Sequence, residues 1–328
     1  MDNHTEILQP NDLNIMRCAS ELKAGGLVAF PTETVYALGA VATDPQAVKK
    51  VYDVKGRPLD RALIIGVAKK SQIKTVVKNV TPSAQKLIDE FMPGALTLVM
   101  DKADCVPDIV TAGSQSVAVR IPDNPIAQKL IELTGSPVVV PSANTSNKPS
   151  TTLAEHVKDD LNGKIKYILD GGQTEIGIES TIVDVRCTPP VILRVGGVTV
   201  ESIERVIGPV TMKRENVKQS AYTPNAEVLF SAYYDGMTDN IISRYDYLVE
   251  KGVSSVILCL DGNRKAYGDR KVITVGADYA AYAHNLFASL RSADAEHYET
   301  IIAEGVDPEG IGSSLIARLI KLSGGSII

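Results

Sequence analysis

Through the first two thirds of the chain, short apolar runs rich in valine, isoleucine and leucine alternate with longer segments of mixed polarity. The runs lie at 27–30, 63–67, 95–100, 117–121, 137–140, 167–169, 181–185 and 191–195. They are too short for helices and of the right length for strands. Between them, a capping residue stands directly before proline at Asp44-Pro45, Thr81-Pro82 and Asn124-Pro125. In each pair the first side chain can accept an orphan backbone N–H, and the fixed φ of proline suits the first helical turn. Strand runs alternating with such helix starts predict an α/β domain whose sheet is covered by helices.

The alternation breaks after residue 208. Residues 209–227, PVTMKRENVKQSAYTPNAE, are polar and follow neither a helical nor a strand period, so they read as a linker. Beyond it, the strand-like EVLFSAY and SSVILCLDG alternate with the helical TDNIISRYDYLVEKG and GIGSSLIARLIKLSGG. The organisation expected is therefore a domain over 1–208, a linker over 209–227 and a smaller Rossmann-like α/β unit over 228–328. That unit lacks G-x-G-x-x-G, so dinucleotide binding is not supported. A length of 328 residues agrees with two domains, because single cores stop growing near about 250–300 residues.

Composition narrows the partners. With 44% hydrophobic and 22% charged residues the chain easily builds cores, and a net charge of −5 gives it no general attraction to nucleic acid or anionic lipid. Cys18, Cys105, Cys187 and Cys259 stand far apart with no C-x-x-C, which argues against a zinc site or a disulfide framework. The first fourteen residues are acidic and polar, unlike a signal peptide, and no apolar run reaches the length of a membrane span. A soluble cytoplasmic protein is the expectation.

Five segments could carry chemistry. In PVVVPSANTSNKPSTT, residues 137–152, a strand ending at Pro141 delivers Ser142, Asn144, Thr145, Ser146, Asn147, Lys148, Ser150 and Thr151 to a sheet edge, where α/β proteins bind ligands. The same residues are ordinary turn formers, and both readings stand. In YDVKGRPLDRALII, residues 52–65, Lys55, Arg57 and Arg61 fall within seven positions. Three cations so close repel one another unless an anion offsets them, and a phosphate chain would do so; a solvated charged turn is the plainer alternative. FPTETVYALGA, residues 30–40, places Thr32, Glu33, Thr34 and Tyr36 after a strand, where Thr32 could equally cap a helical turn. Arg120 and Arg194 interrupt apolar strands and need a partner there, either a ligand carboxylate or an internal acid. IGIESTIVDV brings Glu179, Ser180 and Thr181 to a strand start.

The absences matter as well. Only His4, His156, His284 and His297 occur, none in a polar cluster of the first domain, so a Ser-His hydrolase or a His-ligated metal is poorly supported. There is no G-x-x-x-x-G-K-[ST]. Hydroxyls and cations without bases suit phosphate chemistry by positioning and charge neutralisation.

Taken in order, FPTETVYALGA, KGRP, MPGALTLVM, VAVRIPDNPIA, PSANTSNKPS, DGG, GIESTIVDV and ILRVGGVT resemble the threonylcarbamoyl-AMP synthase family. LFASLRSAD and EGIGSSLIARL resemble the extra domain of its longer, Sua5-type members. The resemblance implies a YrdC-like first domain, a twisted α/β sheet with a concave, positively lined cavity. It implies a nucleotidyltransferase that joins L-threonine, bicarbonate and ATP into threonylcarbamoyl adenylate with release of pyrophosphate. The product would feed t6A formation at tRNA position 37 through a downstream threonylcarbamoyl transferase complex. Lys55 and Arg57 match the family's K-x-R motif and its catalytic role, and Ser142 and Asn144 its S-x-N motif. Arg61, Ser116, Ser150, Arg194 and Tyr222 match further ATP-side positions, whereas Thr34, Arg120 and Ser180 match the threonine pocket. Mg²⁺ is expected to arrive on ATP, since no carboxylate cluster marks a metal site of the protein's own. Gly66 stands where many long members have histidine, Ala37 replaces a glycine, and the linker keeps only Tyr222 and Pro224 of the family pattern. The competing reading is an RNA-binding module that uses the cationic cavity without nucleotide turnover; its acidic balance speaks against it.

Overall fold

The structure is a computed structural model and describes residues 4–213 and 224–328. Two compact units form: the first runs to Lys213 without Asn147–Pro149, and the second takes Asn147–Pro149 and the chain beyond Lys213.

In chain order the first unit carries β1 (Glu6–Leu8), α1 (Asp12–Lys23), β2 (Val28–Phe30), β3 (Ala37–Val41), α2 (Pro45–Lys55), β4 (Ile64–Gly66), α3 (Pro82–Phe91) and β5 (Leu96–Asp101). It continues with α4 (Asp108–Thr111), β6 (Ser116–Arg120), α5 (Pro125–Thr134), β7 (Val138–Val139), α6 (Ala154–Leu161), β8 (Tyr167–Leu169), β9 (Thr181–Asp184), β10 (Val191–Arg194), α7 (Val200–Ile207) and β11 (Thr211–Met212). Among the described residues these strands form one mixed sheet in the order β1-β8-β2-β3-β7-β4-β6-β5-β9-β10-β11. Each of the eight apolar runs supplies a strand.

The three Pro-led helices start where the capping pairs predict. Asp44 accepts from the N–H groups of Gln46 and Ala47, Thr81 from Ala84, and Asn124 from Ile126 and Ala127. The apolar faces of α1 and α5 close over the sheet around Ile15, Leu22, Phe30, Leu130 and Leu169.

Two departures from the sequence reading have clear causes. The segment after β2 does not begin a helix: Ala37–Val41 is a strand, antiparallel to β2. Its alanines and glycine hide a strand from a search for Val and Ile, and the glycine is required there, because a Cβ on Gly39 would lie 2.7 Å from the Phe30 ring. The second correction concerns the linker. Thr211–Met212 pairs in parallel with Val191–Ile192, and Lys213 donates its N–H to the Ile192 carbonyl at 2.9 Å. Residues 209–213 are thus continuous with the first sheet, at an exposed edge where polar side chains are tolerated. The stretch 214–223, including Tyr222, lies outside the described residues.

The second unit contains β12 (Glu227–Ser231), α8 (Met237–Glu250), β13 (Ser255–Cys259), β14 (Val272–Thr274), α9 (Tyr279–Ala295), β15 (Thr300–Glu304) and α10 (Ile311–Leu322). Its strands pair in parallel in the order β12-β15-β13-β14. Leu229, Ile241, Ile257 and Ile302 centre its core, and the architecture is the Rossmann-like one that the alternation predicts. Among the described residues no helix is long and apolar enough to cross a membrane.

Asn124 satisfies two orphan N–H groups of α5, a helix that packs on the core. Asn124→Ala should cost the first unit about 1 kcal/mol, the usual loss for a cap. Denaturant unfolding should show a lower midpoint with an unchanged slope; an unchanged midpoint would contradict the assignment.

Candidate active site

The site is built where strand ends and their loops meet. α2 ends at Lys55, and Gly56 takes a left-handed conformation with φ of 59° to turn the chain out of the helix. The turn sends Lys55 inward: its residue is only 2% exposed, and its ammonium donates to the carbonyls of Ser142 and, at 2.6 Å, Asn144. Ser146 returns a bond, its N–H donating to the Lys55 carbonyl at 2.7 Å. The hydroxyl-rich loop after β7 is therefore fastened to the end of α2. Asp160 helps from the other side, accepting the Thr145 N–H at 2.9 Å.

Arg57 leaves the same turn. Its Nε donates to the Arg61 carbonyl at 3.1 Å and its Nη2 to the Ala62 carbonyl at 2.9 Å, so the guanidinium shapes the loop that leads into β4. Both Arg57 and Arg61 are half-buried.

Register then separates two ends of the site. β6 runs from Ser116, at the end where β4 begins, to Arg120, which pairs with Gly66 at the other end. Four residues of strand span about 13 Å. Arg57, Arg61 and Ser116 belong to the first end, and Arg120 and Ser180 to the second. At the second end, Arg120 Nε donates to the Gly94 carbonyl at 3.2 Å, and Thr181 at the start of β9 donates its N–H to the Ala95 carbonyl at 3.0 Å. Ser180 shares a 2.8 Å hydrogen bond with Thr97 and receives Arg194. Arg194 Nε and Nη2 both donate to the Ser180 carbonyl, at 3.0 and 2.8 Å, and Nη2 reaches the Ser180 hydroxyl at 3.2 Å. Arg194, read from the sequence as an ATP-side residue, is thus held against one read as threonine-side. Gly196 makes this approach possible, because a Cβ there would lie 2.2 Å from the Glu179 carbonyl oxygen.

The 30–40 segment bridges the two ends. Tyr36 donates its N–H to the Thr151 carbonyl and accepts the Ala143 N–H, both at 2.8 Å, stitching the segment to the loop after β7. Thr32 does not cap a helix; its hydroxyl donates to the Val35 carbonyl at 2.6 Å and accepts from the backbone of Thr34 and Val35. This turn holds the buried Thr34 hydroxyl 2.9 Å from that of Thr32. It also directs Glu33 at Arg120, with Oε1 2.7 Å from Nη2 and both side chains buried. Of the two partners that an arginine in an apolar strand admits, this structure holds the internal acid. Ser150 meets an acid too, donating to Glu179 Oε1 at 2.7 Å. Both carboxylates lie in segments that the sequence marks for chemistry, but it assigns neither a role; the signal for Glu33 was the arginine in an apolar strand, which demands an anion somewhere.

Gly66 explains one departure from the family pattern. A Cβ there would lie 2.8 Å from Val140 Cγ1, so a histidine at this position needs a different residue at 140.

Burial, and after it the charge of Arg57, push the Lys55 ammonium down to about 7, with Asp160 opposing. A neutral amine still has two N–H groups, enough for the Ser142 and Asn144 carbonyls.

Fold and site define a class: an α/β protein that gathers cations and hydroxyls on strand-end loops without a P-loop, joined to a small parallel-sheet domain. A family profile described as "Telomere recombination" matches residues 20–196, and one described as "Threonylcarbamoyl-AMP synthase, C-terminal domain" matches residues 198–324. The chain is 41% identical over 326 residues to threonylcarbamoyl-AMP synthase of Pyrococcus abyssi, covering 94% of each protein. Identity with the enzyme of the same name from Bacillus subtilis is 39% over 338 residues, covering 99% of this chain and 97% of the relative. The crystal structure of P. abyssi Sua5 complexed with L-threonine superposes with a TM-score of 0.92 at 40% identity, covering 99% of this chain and 98% of that one. The chain belongs to the threonylcarbamoyl-AMP synthase family.

Between about pH 7 and the ordinary lysine value of 10.5, the unfolded chain carries a proton on Lys55 that the folded chain has released. Folding is therefore favoured increasingly as pH rises through that window and disfavoured below it. Relative to Lys55→Met, the wild-type protein should gain up to roughly 1 kcal/mol per pH unit across the window. Denaturant unfolding at a series of pH values measures this, and parallel stability curves would contradict it.

Proposed function

We propose that this protein is an L-threonylcarbamoyladenylate synthase, joining L-threonine, bicarbonate and ATP and releasing pyrophosphate. The observation that carries the reading is the two-ended site: a loop of hydroxyls and amides fastened to a cationic turn at one end, and an arginine with hydroxyls at the other, about 13 Å along one strand. Cations with hydroxyls suit a polyphosphate, and an arginine with hydroxyls suits a hydroxy amino acid. The names of the relatives, and the L-threonine in the P. abyssi crystal structure, support the choice of substrates.

In this reading the ATP phosphates lie against Lys55, Arg57, Arg61, Ser142 and Asn144, with Ser116 and Ser150 contributing on the nucleotide side, while Arg194 stays with Ser180 at the other end. Thr34, Arg120 and Ser180 take threonine, and the Arg120 guanidinium receives its carboxylate. The carbamate oxygen of N-carboxythreonine attacks the α-phosphorus in line, the bond to the β-phosphate oxygen breaks, and pyrophosphate departs with the electron pair. Lys55 and Arg57 offset the charge that grows on the leaving group. Mg²⁺ would travel with the nucleotide and neutralise phosphate charge. The product would pass to a cytoplasmic transferase complex for t6A formation at tRNA position 37.

A phosphate chain beside Lys55 favours its charged form, and a charged ammonium keeps a third N–H for phosphate after holding its two carbonyls. The RNA-binding alternative is not favoured: a net charge of −5 gives no general attraction to a nucleic acid backbone, and relatives matched over nearly the whole chain carry the synthase name.

Pyrophosphate should be released only when ATP, threonine and bicarbonate are all present; release without threonine would reject the reading. Lys55→Ala and Ser142→Ala should each lower turnover by about a hundredfold or more while circular dichroism stays unchanged. ATP binding near pH 8 should take up protons, seen calorimetrically as a dependence of the heat on buffer ionisation, and Lys55→Met should bind without that uptake.

A further inference from the structure

The Glu33 carboxylate sits at the threonine end of the site without the hydrogen bonds that a buried anion requires. The residue is 5% exposed, and neither Oε1 nor Oε2 has a hydrogen-bond partner. Its contact with Arg120 is an ion pair, Oε1 2.7 Å from Nη2, in which neither atom has a hydrogen-bond partner. Arg120 spends its Nε on the Gly94 carbonyl. Glu33 is itself held in place through its backbone, whose carbonyl accepts the Ile176 N–H at 2.7 Å, and through the Thr32 turn beside it. A buried carboxylate mounted through its backbone, with acceptor positions that no protein group fills, is placed to receive a donor.

We propose that Glu33 is the receptor for the ammonium group of the amino acid and thereby sets the site's requirement for a zwitterion. This rests on the reading of Arg120 as the carboxylate binder. In the free protein the pair neutralises itself. When the substrate carboxylate takes the Arg120 fork, Glu33 loses the counter-charge it has among the described residues, and the substrate ammonium, one carbon away from that carboxylate, replaces it. One internal ion pair becomes two substrate ion pairs, and no step leaves a buried charge alone. A carboxylate ligand without an amine would strand Glu33, so it is rejected even though it fits the arginine and the hydroxyls.

The experiment is calorimetric titration of the full chain with L-threonine and with (R)-3-hydroxybutanoate, which keeps the carboxylate and the hydroxyl but has no amine. Wild type should prefer threonine by about a hundredfold or more, the discrimination a buried unpaired group produces. Glu33→Gln should weaken threonine by about tenfold or more and leave (R)-3-hydroxybutanoate unchanged or tighter, because Arg120 no longer has an internal competitor. Glu33→Asp, which keeps the charge, should retain the preference in reduced form. Equal binding of the two ligands by wild type, or equal losses for both in Glu33→Gln, would overturn the proposal; an aggregated Glu33→Gln protein leaves the wild-type ratio and Glu33→Asp to decide. Arg120→Gln separates the underlying reading: unchanged threonine affinity there would reject the carboxylate assignment itself.

Discussion

The first end of the site depends on one buried ammonium. Lys55 closes α2 and reaches the carbonyls of Ser142 and Asn144, so a helix end and a strand-exit loop far apart in sequence share one charged knot. Carbonyl groups at a strand exit need donors, and a buried lysine needs acceptors; each supplies what the other lacks. The hydroxyl-rich loop is consequently tied to the end of α2. The same burial pushes the lysine down to about 7, so an anion placed beside it would favour its charged form.

The other end follows a different logic. There the charges are opposite and already paired, Arg120 against Glu33, with Ser180 and Arg194 locked beside them through the close pass at Gly196. An internal ion pair of imperfect geometry is a poor source of stability. It is a good reservoir for binding, because a ligand carrying both charges can replace each half without exposing the other.

Much of this was readable along the chain because it is local. Strand runs, Pro-led caps and the alternation of both depend on neighbours within a few residues, and all three caps accept the N–H groups that their positions predict. The strand Ala37–Val41 was not readable, since its residues are mostly small and Gly39 is held to glycine by the Phe30 ring across the hairpin. Thr211–Met212 was hidden for the converse reason: at an exposed edge, pairing places no demand on side-chain polarity.

The sequence by itself determined that the chain has two α/β units and that its chemistry is one of cations and hydroxyls without histidine or P-loop, because periodicity and residue type are properties of short segments. It also posed the question of what an arginine inside an apolar strand could pair with. Only the tertiary structure decided that the partner is Glu33 and that Lys55 faces carbonyls. It alone decided that Arg194 stands with Ser180 and that the site has two ends. Those facts rest on strand register and on loops that cross between strands, and a buried charge chooses its partner by distance in space, which no spacing along the chain records.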